Sequence, residues 1–219
     1  MTRPLVIAID GPAASGKGTL ARKIAARLGL AHLESGLLYR AVALRLRRAG
    51  RELTDAAAAE AAARAVTLDE LGDPALRDEA ISAGASVVSA IPAVRAALVA
   101  LQRGFAARPP AGKAGVVIDG RDIGTVICPD ATVKIFLEAS PEIRAERRVR
   151  ELRQKGGEAI SSRVLQDMKE RDGRDRDRAV SPLVPAKDAL ILDTTNLDED
   201  GAFAAALSLI ERRNEADAG

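Results

Sequence analysis

The sequence is poor in the side chains on which several kinds of site depend. Its 219 residues include one histidine, His32, and one cysteine, Cys128. Catalytic triads and histidine-based metal sites therefore have almost no raw material, and an intrachain disulfide is excluded. Aromatic residues make up only 2% of the chain, so the core must be built from alanine, leucine, valine and isoleucine. A surface that stacks RNA bases on exposed aromatic rings is disfavoured for the same reason.

An excess of charge of one sign is also lacking. The chain has 33 lysines and arginines against 31 acidic residues, a net charge of +2, so no bulk attraction to nucleic acid is implied. No stretch approaches the roughly 18 apolar residues of a membrane span, and the N-terminal segment has no basic-then-apolar signal architecture. We therefore expect a cytoplasmic monomer with neither nucleic acid nor membrane as a partner.

Short, continuous apolar runs of the kind found in buried strands are present. They lie at residues 5–10, 116–119, 132–137 and 190–193, with a shorter candidate at 32–33. Such runs are expected where helices cover both faces of a parallel sheet. Apolar spacing of three and four residues predicts helices over 17–28, 36–49, 92–107, 141–155, 161–171 and 197–213. Strands that alternate with helices indicate a doubly wound α/β fold.

The strongest motif is a glycine-rich stretch between the first strand and the first helix. Its nine residues are Gly11, Pro12, Ala13, Ala14, Ser15, Gly16, Lys17, Gly18 and Thr19. Glycines in this setting let backbone N–H groups converge on phosphate oxygens, and the helix adds its positive N-terminal end. The motif predicts a site for the phosphates of a nucleoside triphosphate, with Lys17 as the charge that meets the β- and γ-phosphates.

The position after Lys17 bears on the metal. Gly18 stands where a Ser or Thr that binds Mg²⁺ is usual, and the hydroxyl is displaced by one residue to Thr19. We therefore expect Mg²⁺ to be held mainly through the phosphates of ATP and through water, which this ion tolerates well. No side chain is predicted to bind the metal directly.

Three further charged clusters are candidates for binding the molecule that receives the phosphate. Residues 34–40 open a helix directly after the short strand, and Arg40 lies one turn inside it. Residues 120–124 follow a buried strand, where open α/β sheets place their ligands. Residues 171–178 alternate arginine with aspartate. That run is either a self-paired solvated surface or a set of arginines aimed at phosphates, with acids that orient them or bind sugar hydroxyls.

Five blocks, in order and at similar spacing, together resemble bacterial cytidylate kinases. They are residues 11–19, 34–40, 85–98, 116–125 and 171–183, and the resemblance extends from residue 5 to about 195. It implies an ATP-dependent nucleoside monophosphate kinase that transfers the γ-phosphate of ATP to CMP or dCMP. It also implies a three-layer P-loop kinase core, whose five-stranded parallel sheet has the strand order 2-3-1-4-5.

The same resemblance implies a domain organisation. Residues 1–219 are expected to form one P-loop kinase domain, with a shortened monophosphate-binding insertion at 36–85 and a mobile lid at 150–165. The pair Gly156-Gly157 lies between two charged helices and suits a lid hinge. Residues 66–76 leave little room for the strand hairpin that many members carry in the insertion. Glu34 stands where the family usually has aspartate.

The resemblance also implies roles for individual residues. Residues matching Ser86, Arg95 and Asp122 read the cytosine in that family, and those matching Arg171 and Asp175 hold the ribose. Arginines matching Arg40, Arg121 and Arg178 grip the acceptor phosphate, and Ser35 also lies in the acceptor pocket. The predicted catalytic residues are Lys17, Arg121 and Arg178. The predicted ATP-binding residues are 11–19.

Other functions share part of this pattern. A kinase for another small acceptor, such as AMP or shikimate, would use the same phosphate loop, although the run 171–178 favours a phosphorylated acceptor that carries a sugar. A nucleotide-dependent switch would also carry such a loop. Because a switch usually keeps Ser or Thr directly after the lysine to sense Mg²⁺, Gly18 favours the kinase.

Overall fold

The strands of the chain form one five-stranded sheet. The structure is a computed structural model that describes residues 4–154, 156 and 158–218. The strands are β1 (Leu5–Asp10), β2 (Ala31–Glu34), β3 (Gly115–Gly120), β4 (Val133–Glu138) and β5 (Leu190–Asp193). Their order in the sheet is β2-β3-β1-β4-β5, and β1 runs parallel to both β3 and β4, as β4 does to β5.

Eight α-helices connect and follow the strands in the described part of the chain. They are α1 (Lys17–Leu28), α2 (Gly36–Arg48), α3 (Ala56–Arg64), α4 (Glu79–Val88), α5 (Pro92–Ala107), α6 (Pro141–Gln154), α7 (Ser161–Arg176) and α8 (Glu199–Ala218). Short 3₁₀ turns span Leu68–Gly72 and Pro74–Arg77, and a π-helical turn spans Ile123–Ile127. The alternation of strand and helix explains why every observed strand pair is parallel.

The chain divides into two compact units. The small unit is Glu34–Arg108, and the large unit comprises the residues up to Leu33 together with those from Pro109 onward. In the large unit, Ile7 and Ile9 of β1 are buried in one cluster with Ile24 of α1 and Ile210 of α8. This cluster fixes the direction in which α1 leaves the loop after β1.

The small unit has a core of its own. Leu38 and Val42 of α2, Val88 of α4 and Leu98 of α5 are fully buried in a single cluster. Residues 36–108, all of which the structure describes, contain helices and 3₁₀ turns but no strand. The side chains of α2 to α5 are therefore positioned by helix packing alone within this unit.

The predicted sheet and its strand order are confirmed. The helix predicted over 161–171 is wrong at its end, because α7 continues to Arg176. Helices α3 and α4 were not predicted. The predicted insertion, 36–85, falls within the small unit, and its role stays a prediction. The predicted lid, 150–165, includes Lys155 and Gly157, which lie outside the described residues, so its hinge also stays a prediction.

Among the described residues, no single helix has the length and apolar composition needed to cross a membrane. Helices α4 and α5 reach that length and apolar composition only when they are taken together, and the chain bends by 103° between them.

Candidate active site

The loop after β1 has the backbone of an anion cradle. Gly11 has φ +154°, and a Cβ there would lie 2.6 Å from the backbone oxygen of Leu137, so only glycine fits. Gly16 caps α1 in the left-handed region, with φ 90°. The first turn of α1 therefore follows the loop directly, and the positive end of the helix dipole lies at the loop.

Two polar side chains of this loop, those of Ser15 and Lys17, are placed where they can bind a ligand. Ser15 is fully buried, and its Oγ has no hydrogen-bond partner among the described residues. A buried hydroxyl without a partner costs about 1–3 kcal/mol, so the site gains by receiving a hydrogen-bonding ligand. The ammonium of Lys17 donates to the backbone oxygen of Pro12 at 3.1 Å, which holds the charge across the mouth of the loop. The loop fits the phosphates of a nucleotide on both counts.

The carboxylate of Asp119 lies beside the first turn of α1. Asp119 is buried near the end of β3, and its Oδ2 is 3.9 Å from the position a Cβ on Gly18 would take. Its Oδ1 is 2.7 Å from Nε2 of His32, which lies in β2. The described residues contain no group of three or more His, Cys, Asp and Glu side chains able to hold a metal ion. This donor set fits a hydrated Mg²⁺ that takes most of its ligands from phosphate oxygens.

Three of the residues predicted to bind the acceptor nucleotide contact one another in the large unit. The Nε of Arg121 donates to Oδ2 of Asp175 at 2.9 Å, and Arg178 pairs with the other oxygen of the same carboxylate. Burial raises the pKa of Asp175, but the positive charges of Arg121, Arg178 and Arg171 outweigh it and hold that pKa below its usual range. A carboxylate that stays ionised fixes the two guanidinium groups side by side, as a dianionic phosphate requires.

Two more predicted residues flank this cluster. Asp122 is buried and directly precedes the π-helical turn. Arg171 lies on α7, one turn before Asp175. The segment 171–178 is not wholly solvated, because Asp172 and Asp175 are buried, although Arg178 pairs with Asp175 within the segment.

The other four predicted acceptor residues lie in the small unit. Ser35 is buried at the start of α2, and Arg40 donates to the backbone oxygen of Leu76 at 3.1 Å. Arg95 of α5 is buried and donates to the backbone oxygen of Ser89 at 3.3 Å. Its guanidinium lies over the ring of Tyr39, 5.3 Å from the ring centre. The Oγ of Ser89 donates in turn to the backbone oxygen of Ser86 at 3.1 Å. The structure thus links Ser86 and Arg95 through one network, and the roles of all four residues stay predictions.

Sequence reasoning missed two buried charges that contact these elements. Asp10 ends β1, and its two oxygens accept from the backbone N–H groups of Ile123 at 2.8 Å and Gly124 at 2.7 Å. Arg144 of α6 donates to the backbone oxygen of Ala13 at 3.1 Å and pairs with Asp172 at 2.6 Å. The signal for Asp10 was present, since a carboxylate at the end of a buried apolar strand needs a partner. Arg144 is one of many arginines in α6, and nothing local sets it apart.

The chain is similar in sequence to known cytidylate kinases. A sequence model of the cytidylate kinase family matches residues 7–212. A cytidylate kinase of Paramagnetospirillum magneticum is 60% identical over 205 residues, which cover 94% of this chain and 97% of that relative. A cytidylate kinase of Methylobacterium sp. (strain 4-46) is 59% identical over 209 residues, which cover 95% of this chain and 98% of that relative.

The chain belongs to the cytidylate kinase family. This membership confirms the predicted family and, with it, the prediction of an ATP-dependent nucleoside monophosphate kinase. Among solved structures, a gluconokinase of Sinorhizobium meliloti 1021 aligns with 99% of this chain and 97% of its own, with a TM-score of 0.50 and 19% identity. At that identity the likeness supports only the fold.

Proposed function

We propose that the chain transfers the γ-phosphate of ATP to CMP or dCMP, giving ADP and CDP or dCDP. The observation that carries the proposal is the buried cluster of Arg121, Asp175 and Arg178, which lies in the same unit as the phosphate loop. A kinase for an unphosphorylated acceptor has no need of a carboxylate that holds two guanidinium groups side by side. Membership of the cytidylate kinase family supports the same choice of acceptor.

The donor nucleotide is assigned to residues 11–19. Backbone N–H groups of this loop and of the first turn of α1 surround the phosphates of ATP, and the hydroxyl of Ser15 supplies a further donor. Lys17 exchanges the oxygen of Pro12 for the β- and γ-phosphates. Mg²⁺, held by phosphate oxygens and by water beside Asp119, would supply positive charge to the transferred group.

The acceptor nucleotide is assigned to the nine remaining residues. Arg40, Arg121 and Arg178 bind its phosphate, while Arg171 and Asp175 bind the ribose. Ser86, Arg95 and Asp122 bind the cytosine, and Ser35 lines the acceptor pocket. Asp122 accepts a hydrogen bond from the amino group of cytosine, and Arg95 donates to the ring acceptors. Uracil offers an oxygen where cytosine has its amine, and a buried mismatch of that kind costs about 1–3 kcal/mol.

The reaction needs no general base. The phosphate of CMP is already an anion at neutral pH, and one of its oxygens attacks the γ-phosphorus of ATP. A new P–O bond forms while the bond between the γ-phosphorus and the oxygen that bridges the β- and γ-phosphates breaks. ADP leaves with that electron pair. The barrier comes from bringing two polyanions together, which Lys17, Arg121 and Arg178 lower by positioning and by charge. The near-absence of histidine is consistent with this chemistry.

A panel of acceptors tests the proposal. Release of ADP is measured by a coupled assay with CMP, dCMP, UMP and AMP at equal concentrations. We expect kcat/KM for CMP to exceed that for UMP by about tenfold or more, which corresponds to the cost of the mismatch. Lys17→Ala is expected to remove most turnover, whereas Lys113→Ala, which changes an exposed lysine far along the chain, keeps it. A preference for AMP would reject the acceptor, and near-normal rates for Lys17→Ala would reject the donor site.

A further inference from the structure

Asp10 joins the phosphate loop to the segment that carries Arg121 and Asp122. It is the last residue of β1, directly before Gly11, and it is 5% exposed. Each of its carboxylate oxygens accepts a backbone N–H group, from Ile123 at 2.8 Å and from Gly124 at 2.7 Å. Because both carboxylate oxygens accept hydrogen bonds from the protein itself, Asp10 connects the phosphate loop to the backbone at Ile123 and Gly124.

Gly124 makes this close approach possible. A Cβ at this position would lie 3.4 Å from Oδ2 of Asp10 and 3.2 Å from Cδ of Lys134. The distance to Lys134 is tighter than ordinary packing and the distance to Asp10 is at its lower limit, so a methyl group here would crowd the contact between this segment and Asp10.

Arg144 forms a second link from the same loop. Its guanidinium is 6% exposed, donates to the backbone oxygens of Ala13 at 3.1 Å and Ala139 at 3.0 Å, and pairs with Asp172 at 2.6 Å. Ala13 and Ala14 also pack against the apolar cluster between α6 and α7, which contains Val149 and Met168. The phosphate loop is therefore fixed to α7, on which Arg171 and Asp175 lie.

The two links close into a circuit. From Asp10 the hydrogen bonds reach the segment that begins with Arg121, whose guanidinium pairs with Asp175 on α7. One turn earlier on α7, Asp172 pairs with Arg144, and Arg144 returns to the phosphate loop at Ala13. Every contact in the circuit lies within the large unit. A shift of the phosphate loop relative to Arg121 or α7 would break at least one buried charged contact.

We propose that Asp10 and Arg144 are positioning residues, which hold the phosphate loop at a fixed place relative to Arg121 and α7. The inference rests on the proposed function, in which the loop binds ATP and Arg121 and α7 bind the acceptor. In-line transfer requires the attacking oxygen and the γ-phosphorus to be held near contact distance, and a misplacement of about 1 Å can lower the rate by about 100-fold. Loss of either residue therefore reduces the rate of the bound complex more than the affinity for each nucleotide.

The test uses Asp10→Asn and Arg144→Lys in the full chain at about pH 8. Calorimetry gives the Kd for ATP alone, for CMP alone and for an analogue in which adenosine and cytidine are joined by a five-phosphate chain. We expect Kd values for the single nucleotides to change by less than about threefold, while kcat and the affinity for the joined analogue fall about tenfold or more. Asp200→Asn and Arg48→Lys, which change exposed residues paired with Lys23 and Asp73, serve as matched controls and are expected to match the parent chain.

Gly124→Ala keeps both charged residues and crowds Asp10 together with the side chain of Lys134, so it provides a further variant if Asp10→Asn fails to fold. It is expected to show the same split between kcat and single-nucleotide affinity. The inference is rejected if the variants keep the parent kcat, or if the affinities for ATP and CMP alone fall as far as that for the joined analogue. Failure of the proposed function looks different, since the parent chain itself would then not phosphorylate CMP.

Discussion

For Asp10, burial affects the pKa of the carboxyl group more strongly than the neighbouring hydrogen bonds and charges do. It raises the pKa of Asp10 to about 7, against the lowering effect of the two N–H groups from Gly124 and Ile123. The negative charge of Asp122 adds to the rise, and the positive charge of Arg121 opposes it. The carboxyl group of Asp10 is therefore harder to ionise in the folded chain than in the unfolded chain.

The pH dependence of the unfolding free energy tests whether the pKa of Asp10 is raised in the folded chain. Because the folded pKa is raised from 3.8 to about 7, the stabilisation from protonated Asp10 is complete below about pH 4 and is lost as the pH rises through about 7. Relative to Asp10→Asn, the parent chain is expected to lose on the order of 4 kcal/mol of unfolding free energy across this window. Urea unfolding at several pH values measures the difference. A difference that does not change with pH would show that the pKa of Asp10 is the same in the folded and the unfolded chain.

At the scale of helices, α7 shows why an apolar pattern located its start but not its end. Its buried face begins with Val164 and Met168 and continues, at the same helical spacing, with Asp172 and Asp175. These two carboxylates occupy core positions because they pair with Arg144, Arg121 and Arg178. A pattern that counts only apolar residues ends where the charges begin, so the helix was predicted to stop five residues early.

The small unit shows a second reason for missed helices. Helix α3 is almost entirely alanine, and alanine favours helix without defining a face. Its start was nevertheless visible, since Asp55 accepts from the backbone N–H of Ala58 at 3.0 Å as an N-cap. Helix α4 packs closely against α2, where Gly84 faces Ala43.

A matched pair of glycine substitutions tests this packing. A Cβ at Gly84 would lie 3.1 Å from Leu53 and 3.2 Å from Ala43, whereas a Cβ at Gly173 in α7 has nothing within 4 Å. Gly173→Ala is expected to raise the unfolding free energy by up to about 1 kcal/mol through helix propensity. Gly84→Ala is expected to lower it, because overpacking costs about 1–3 kcal/mol. Urea unfolding of both variants measures the signs, and equal shifts would contradict tight packing at Gly84.

At the scale of the whole molecule, each compact unit has its own buried core. Ile24 in the large unit and Leu98 in the small unit are both completely buried in aliphatic clusters. The near-absence of aromatic rings does not prevent either core from closing, since branched aliphatic side chains fill it.

Hydrogen exchange can assign each core to its unit. Leu98→Ala is expected to lower the opening free energy of amides in the small unit by about 2–5 kcal/mol, through lost burial and a new cavity. Ile24→Ala is expected to do the same for amides in the large unit. Peptide-resolved exchange by mass spectrometry measures both patterns. If either substitution lowered protection equally in the two units, the cores would belong to a single cooperative unit.

The sequence by itself determined the phosphate loop, the strands and the family. These depend on neighbours along the chain, since a strand, a glycine-rich loop and the start of a helix follow one another within residues 5–28. Only the tertiary structure decided what Asp10 and Arg144 do. Asp10 meets Gly124 across 114 positions and Arg144 meets Ala13 across 131. No local pattern records such pairings, because they exist only once the parallel sheet has brought the ends of β1, β3 and β4 to one edge.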